Sequence, residues 1–129
     1  TALALVAEYR DDKAMASEHY LTLSKYPGII TEVGISTDRM LGILTKTMGQ
    51  YEDATRHFED AVAFCKKAGY RPELAWSLHD YAVMLLDHDE PDDQQKATSM
   101  LDESLQISTD LGMRPLMERV LSRRDILKA

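Results

Sequence analysis

A chain of 129 residues, 44% apolar and 29% charged, is one domain's worth of polypeptide with enough apolar content for a core. Its net charge of −7 argues against polyanion binding over the whole surface, which depends on Lys and Arg neutralising phosphates. No apolar run reaches the roughly eighteen residues that a transmembrane helix needs, and the opening TALALVAEYR lacks the basic start of a secretory signal.

Residues 2–10, ALALVAEYR, are good helix formers without Gly or Pro and predict a helix. Asp11 and Asp12 mark a short turn. Residues 13–25 predict a second helix with Ala16, Tyr20 and Leu23 on one face, ended by Pro27-Gly28. Residues 1–28 therefore read as a partial repeat. In residues 29–36 the β-branched Ile29, Ile30, Val33 and Ile35 surround Gly34. With no partner strand evident, the segment reads as an extended lead-in that can turn helical. Ser36 or Thr37 caps the next helix, which carries Met40, Leu41, Leu44 and Met48 and stops at Gly49.

The helix over 50–68 places Ala54, Phe58, Ala61, Val62 and Cys65 at i, i+4, i+7, i+8 and i+11, a single helical face. The lone cysteine, Cys65, has no intramolecular disulfide partner and reads as a buried, inert thiol. After the turn Gly69-Tyr70-Arg71-Pro72, with Pro72 suited to a first helical position, a helix over about 73–87 buries Leu74, Leu78, Tyr81, Ala82 and Leu85. The hydrophilic turn DHDEPDD, 87–93, leads into a helix over 93–111 that ends at Gly112. A last helix, about 114–127, gathers Met113, Leu116, Met117, Val120, Leu121 and Leu127 on one face opposite a charged one, as the open end of a solenoid requires.

One pattern recurs. Ala97, Leu101, Leu105 and Gly112 lie forty-three residues after Ala54, Phe58, Val62 and Gly69, and Gly69-Tyr70-Arg71-Pro72 returns as Gly112-Met113-Arg114-Pro115. The spacing between paired helices grows from thirteen residues (Leu41 to Ala54) to sixteen (Tyr81 to Ala97). A repeating helix-turn-helix unit predicts an all-α fold of antiparallel helix pairs, an α-solenoid of about seven helices, with repeats at 36–69 and 72–112 and a capping helix at 113–129. Residues 113–129 carry net +3 and the first 112 carry −10. That polarity suits end-to-end docking, although cations near a helix C-terminus also suit the helix dipole.

These residues resemble the tetratricopeptide repeat. Gly49, Tyr51, Ala54, Phe58 and Ala61 match its spaced small and aromatic positions, and Leu41-Gly42 matches the Leu-Gly pair of its first helix. Small residues let two helices approach while a bulky one fills the gap. Asp38, Thr45 and Lys66 depart from the family's aromatic, Tyr and Pro, and the period of forty-three exceeds the usual ~34 residues. Over residues 36–129, HFEDAVAFCKKAGYRPELAW, DYAVMLLD and LGMRPLMERVLSRRDILKA are similar to the C-terminal repeats of LuxR-type ATPase transcription regulators and of predicted ATPases attached to cyclase domains. The resemblance implies a right-handed superhelix and a sensor or scaffold arm of a bacterial, cytoplasmic signalling protein. The start at Thr1 fits a fragment of such a protein, and none of its ATPase, cyclase or DNA-binding motifs stands in these residues. It also implies a concave groove lined by Arg39, Ile43 and Lys46 in one repeat, by Trp76, His79 and Val83 in the next, and by Arg119, Ser122 and Ile126 in the last helix.

The chemistry-bearing residues form no reaction centre in sequence. His19, His57, His79 and His88 lack the paired spacing of a helical zinc site and read as surface or rim histidines. Counted from Asp87, the acidic turn puts Asp92 and Thr98 where a calcium loop needs Gly and Glu. Ser77, His79 and Asp80 do not read as a triad, because neighbours along a helix diverge and no GxSxG turn is present. The expectation is a non-enzymatic module without cofactor or metal. It binds a protein or peptide in its groove, not nucleic acid or membrane, with Arg39, Lys46, Trp76 and Arg119 as contacts. The alternative is a structural spacer or self-association element, dimerising through the solenoid end at residues 2–25.

Overall fold

Gly49, Gly69 and Gly112 set the framework, because each ends a helix with the same turn. Gln50 N–H reaches Thr45 O at 2.9 Å, Tyr70 N–H reaches Cys65 O at 3.0 Å and Met113 N–H reaches Ser108 O at 2.8 Å. In each case the glycine N–H bonds one residue further on, the paired pattern of a Schellman motif. Gly69 and Gly112 hold φ of 70° and 67°, a left-handed backbone in which a Cβ is costly. The recurrence seen in sequence is thus a recurrence of one helix-ending turn.

The computed structural model describes residues 13–25 and 35–128. Among the described residues the regular elements are six helices: α1 (Lys13–Leu23), α2 (Thr37–Thr47), α3 (Tyr51–Ala68), α4 (Arg71–His88), α5 (Asp93–Leu111) and α6 (Arg114–Lys128). The helix expected over 2–10 and most of the lead-in 29–36 lie outside the described residues. Ser36 caps α2 by accepting the Arg39 N–H at 3.3 Å. Pro72 falls inside the first turn of α4, which starts earlier than expected.

The chain divides into two compact units, Thr1–Phe64 and Cys65–Ala129. In the first, α1 packs on α2, and α3 approaches α2 where the Phe58 ring covers Gly42. A Cβ on Gly42 would lie 2.8–2.9 Å from three ring carbons, so this approach requires glycine. In the second, α4 packs extensively on α5, and α6 packs on both.

Burial repeats with the sequence. Ala54, Phe58, Ala61 and Cys65 are fully buried, and so are Ala97, Leu101, Ser104 and Ser108, each forty-three residues on. Val62 and Leu105, expected on the core face, are both half-buried. They lie one residue past the buried line and turn about 100° away from it. In α6, Leu116 and Val120 form the buried line, and Leu121 is 44% exposed, a correction with the same cause.

α4 departs most from a simple amphipathic stripe. The expected Leu74, Leu78, Tyr81, Ala82 and Leu85 are buried, but so are Glu73, Ala75, Ser77, His79, Val83 and Met84. A helix buried on most of its circumference has no polar face.

Candidate functional site

The expected groove residues separate by burial. In the first unit Arg39 and Ile43 are buried on α2, and Lys46 is half-buried. In the second, His79 and Val83 are buried, Trp76 is half-buried, and Arg119, Ser122 and Ile126 are exposed. Accessible side-chain surface is thus left at Lys46 in the first unit and at Trp76, Arg119, Ser122 and Ile126 in the second.

The second unit brings several of these together. The Arg119 guanidinium lies over the Trp76 ring, 5.4 Å from its centroid. The Trp76 and His79 rings meet edge to face, with centroids 5.9 Å apart and planes at 86°. His79 Nδ1 lies 2.9 Å from Asp80 Oδ1. The carboxylate can only accept, so the ring donates at Nδ1 and is held in orientation. This corrects the expectation that neighbours on a helix diverge: their Cβ atoms do, but the longer side chains swing together at the helix surface. Ser77 takes no part, because two residues along a helix span about 200° and it points to the opposite side. Its hydroxyl is buried and has no hydrogen-bond partner.

At the far ends of the same helices, Leu85, Leu86, Asp87 and Asp89 meet Arg123, Ile126, Leu127 and Gln94 around a half-enclosed cavity of about 230 Å³. Trp76 and Arg119 both lie five residues into their helices, and the cavity residues lie near both C-termini. α4 and α6 therefore run side by side in the same direction, aromatic and cationic at one end, apolar with an acidic rim at the other.

Buried polar groups outside this face serve packing. Tyr20 OH lies 3.0 Å from His57 Nε2, with the rings edge to face at 5.5 Å. Burial, and secondarily the Arg56 charge, lowers the His57 pKa below its ordinary value, against the opposing pull of Asp38, Asp53 and Asp60. His57 and His79 are thus buried, not rim, residues, because each has a side-chain partner that offsets its desolvation. His88 does lie at the surface, with Asp93 Oδ2 at 3.4 Å and Glu90 Oε1 at 3.8 Å. Lys96 Nζ donates to the buried Tyr81 hydroxyl at 2.8 Å, and Ser104 Oγ donates to Ala75 O at 2.8 Å across α4 and α5. Nothing in the periodicity marks these pairs. Only the unusual presence of Ser or Tyr on an apolar face points to them.

Among the described residues, no group of three or more His, Cys, Asp or Glu side chains is placed to hold a metal ion. No described helix is long and apolar enough to cross a membrane. Comparison with protein families, curated proteins and solved structures returned no match.

Proposed function

We propose that this chain is a tetratricopeptide-like α-solenoid segment that works as a protein-interaction module, docking a peptide, a helix or a neighbouring domain on the face formed by α4 and α6. The single observation that carries the reading is the Arg119–Trp76 stack. A half-buried tryptophan under an exposed arginine combines the two side chains that most often anchor interfaces. The His79 ring, edge-on to Trp76 and held by Asp80, stiffens the ring environment, which lowers the ordering cost of binding. The forty-three-residue recurrence of buried positions and turns supports repetition of one helix-pair unit. The resemblance to regulator and cyclase-linked ATPase repeats makes the sensor or scaffold arm of a bacterial signalling protein the natural setting.

The test is selection of binders from a random displayed-peptide library on the 129-residue chain, followed by affinities for Trp76→Ala and Arg119→Ala. Loss of roughly tenfold or more with Trp76→Ala, which corresponds to about 1.4 kcal/mol, is expected of an anchor residue. Unchanged affinity in both variants removes the assignment. A spacer or self-association role is the second reading, favoured by Leu21 of α1 at 65% exposure. Sedimentation velocity over a range of concentrations separates it, since a chain that stays monomeric throughout does not self-associate.

A further inference from the structure

Resting on that reading, we infer that the cavity where α4 and α6 end is an anchor pocket for one large apolar side chain of a partner peptide, and that Asp89 selects a Lys or Arg beside that anchor. The cavity holds about 230 Å³ between Leu85, Leu86, Ile126 and Leu127. A void of about 150 Å³ already takes a benzene ring, whereas pockets for drug-sized ligands start near 300 Å³. The space therefore suits one Phe, Leu or Met side chain. Ile126 stands at the mouth, 63% exposed, where an inserted side chain would cover it.

Charge defines what surrounds the anchor. Asp87 and Asp89 lie on the rim, and Glu118 and Asp125 line the adjoining surface of α6 along with Ile126. Among the described residues Asp89, Glu118 and Asp125 have no ion-pair partner. Among the described lining residues the one cation is Arg123, which is half-buried and without a described acceptor. Its guanidinium suits a backbone carbonyl, which any peptide anchor brings with it. The acidic surroundings favour a basic neighbour in the partner.

Asp89 adds an independent observation. It ends α4 in the left-handed region at φ 53°, while the described chain otherwise uses glycine there, at Gly49, Gly69 and Gly112. Its counterpart forty residues earlier is Gly49, at φ 79°. The turn needs no carboxylate, since the Asp89 N–H makes the capping bond to Leu85 O. Asp is among the few non-glycine residues that this conformation tolerates, so the turn can present a carboxylate at the rim of the cavity where glycine would leave it bare.

The experiment titrates the full 129-residue chain with three Gly/Ser peptides carrying a central Phe-Lys, Phe-Glu or Ser-Lys, followed through the Ile126 and Leu127 methyl signals by NMR. The Phe-Lys peptide is expected to shift both methyls and to bind about two- to fivefold more tightly than Phe-Glu, the range of one exposed ion pair. Ser-Lys is expected to shift neither. Asp89→Gly should retain the folded spectrum and shrink the preference for Phe-Lys over Phe-Glu, while Ile126→Ser weakens both. Equal affinities, shifts confined to other methyls, no shift at millimolar peptide, or self-association that occupies Ile126 each overturn the inference. Failure here leaves the Trp76 and Arg119 test intact. Conversely, Phe-Lys binding that survives Trp76→Ala alongside unaltered library binders sinks the broader reading and keeps the pocket.

Discussion

Gly42→Ala is the sharpest test of how α2 meets α3. The added Cβ would lie 2.8 Å from Phe58 Cε1 and 2.9 Å from Cδ1 and Cζ, well inside the ~3.5–4.0 Å of favourable carbon contact. Phe58 is fully buried, so its ring cannot move aside without disturbing other neighbours. Overpacking of this kind costs about 1–3 kcal/mol. Against it, alanine gains about 0.8–1.0 kcal/mol over glycine inside a helix. The net expectation is destabilisation of up to about 2 kcal/mol, the difference of those two ranges. The second unit supplies a control, since the counterparts of Gly42 and Phe58 are Ala82 and Leu101, both fully buried. In a Phe58→Leu background the clash is relieved, and Gly42→Ala should then stabilise by up to about 1 kcal/mol. The same substitution changes sign, with a coupling energy of about 1–3 kcal/mol. Urea denaturation of the four proteins, followed by far-UV circular dichroism with the slope m held common, measures it. If Gly42→Ala stabilises the parent chain as much as the Phe58→Leu chain, the ring does not press on Gly42 and the reasoning fails.

Two buried serines on facing helices should respond in opposite directions. Ser77→Ala removes a buried hydroxyl without a partner and is expected to stabilise by about 1 kcal/mol, whereas Ser104→Ala loses its 2.8 Å bond to Ala75 O and should cost about 0.5–1.5 kcal/mol; thermal melts read both. His57 gives a pH signature. Its folded pKa lies below the unfolded value of 6.5, so the unfolded state binds the extra proton in the window between them. The stability that His57 contributes is present above pH 6.5 and is lost as pH falls through the folded pKa. His57→Gln keeps an acceptor for Tyr20 and removes the titration, so its urea midpoint should fall less than the parent's between pH 7 and about pH 5. Equal slopes in the two proteins would place the pH dependence elsewhere.

Much of this fold was legible in single residues. Glycines at 49, 69 and 112 gave the ends of α2, α3 and α5, because a left-handed C-terminal residue is a local requirement. The buried line of α3 followed from periodicity, since that helix keeps one face in the core. α4 resisted the same reading. Glu73, Ser77, His79 and Met84 are buried by neighbours on several sides, and a stripe method sees only one. The His79–Asp80 contact was missed because backbone angles describe where Cβ atoms start, not where longer side chains finish. Trp76 and Arg119 were each identifiable as interface types, but their stacking depends on α6 lying beside α4, which no local pattern encodes.

Positions related by the forty-three-residue recurrence can be compared pair by pair. Where they agree, at Ala54 and Ala97, Phe58 and Leu101, or Gly69 and Gly112, the residue fills space or turns the chain. Where a packing position changes chemistry, the structure compensates: Ser104 replaces Ala61 and finds the Ala75 carbonyl. The turn after α4 is different. It runs over residues 89–92 where its counterpart after α2 runs over 48–50, it lies within the acidic DHDEPDD, and it begins with Asp89 in a conformation that glycine would adopt more easily. No contact within the turn requires that carboxylate, since α4 is capped by a backbone bond and α5 starts without a side-chain cap from Asp92. Within the acidic stretch His88 pairs with Asp93 and Glu90, whereas Asp89 lies on the rim of the apolar cavity. If Asp89 serves the proposed pocket, Asp89→Gly should fold well and bind poorly, and a loss of stability greater than about 1 kcal/mol would return the acidic turn to the packing account.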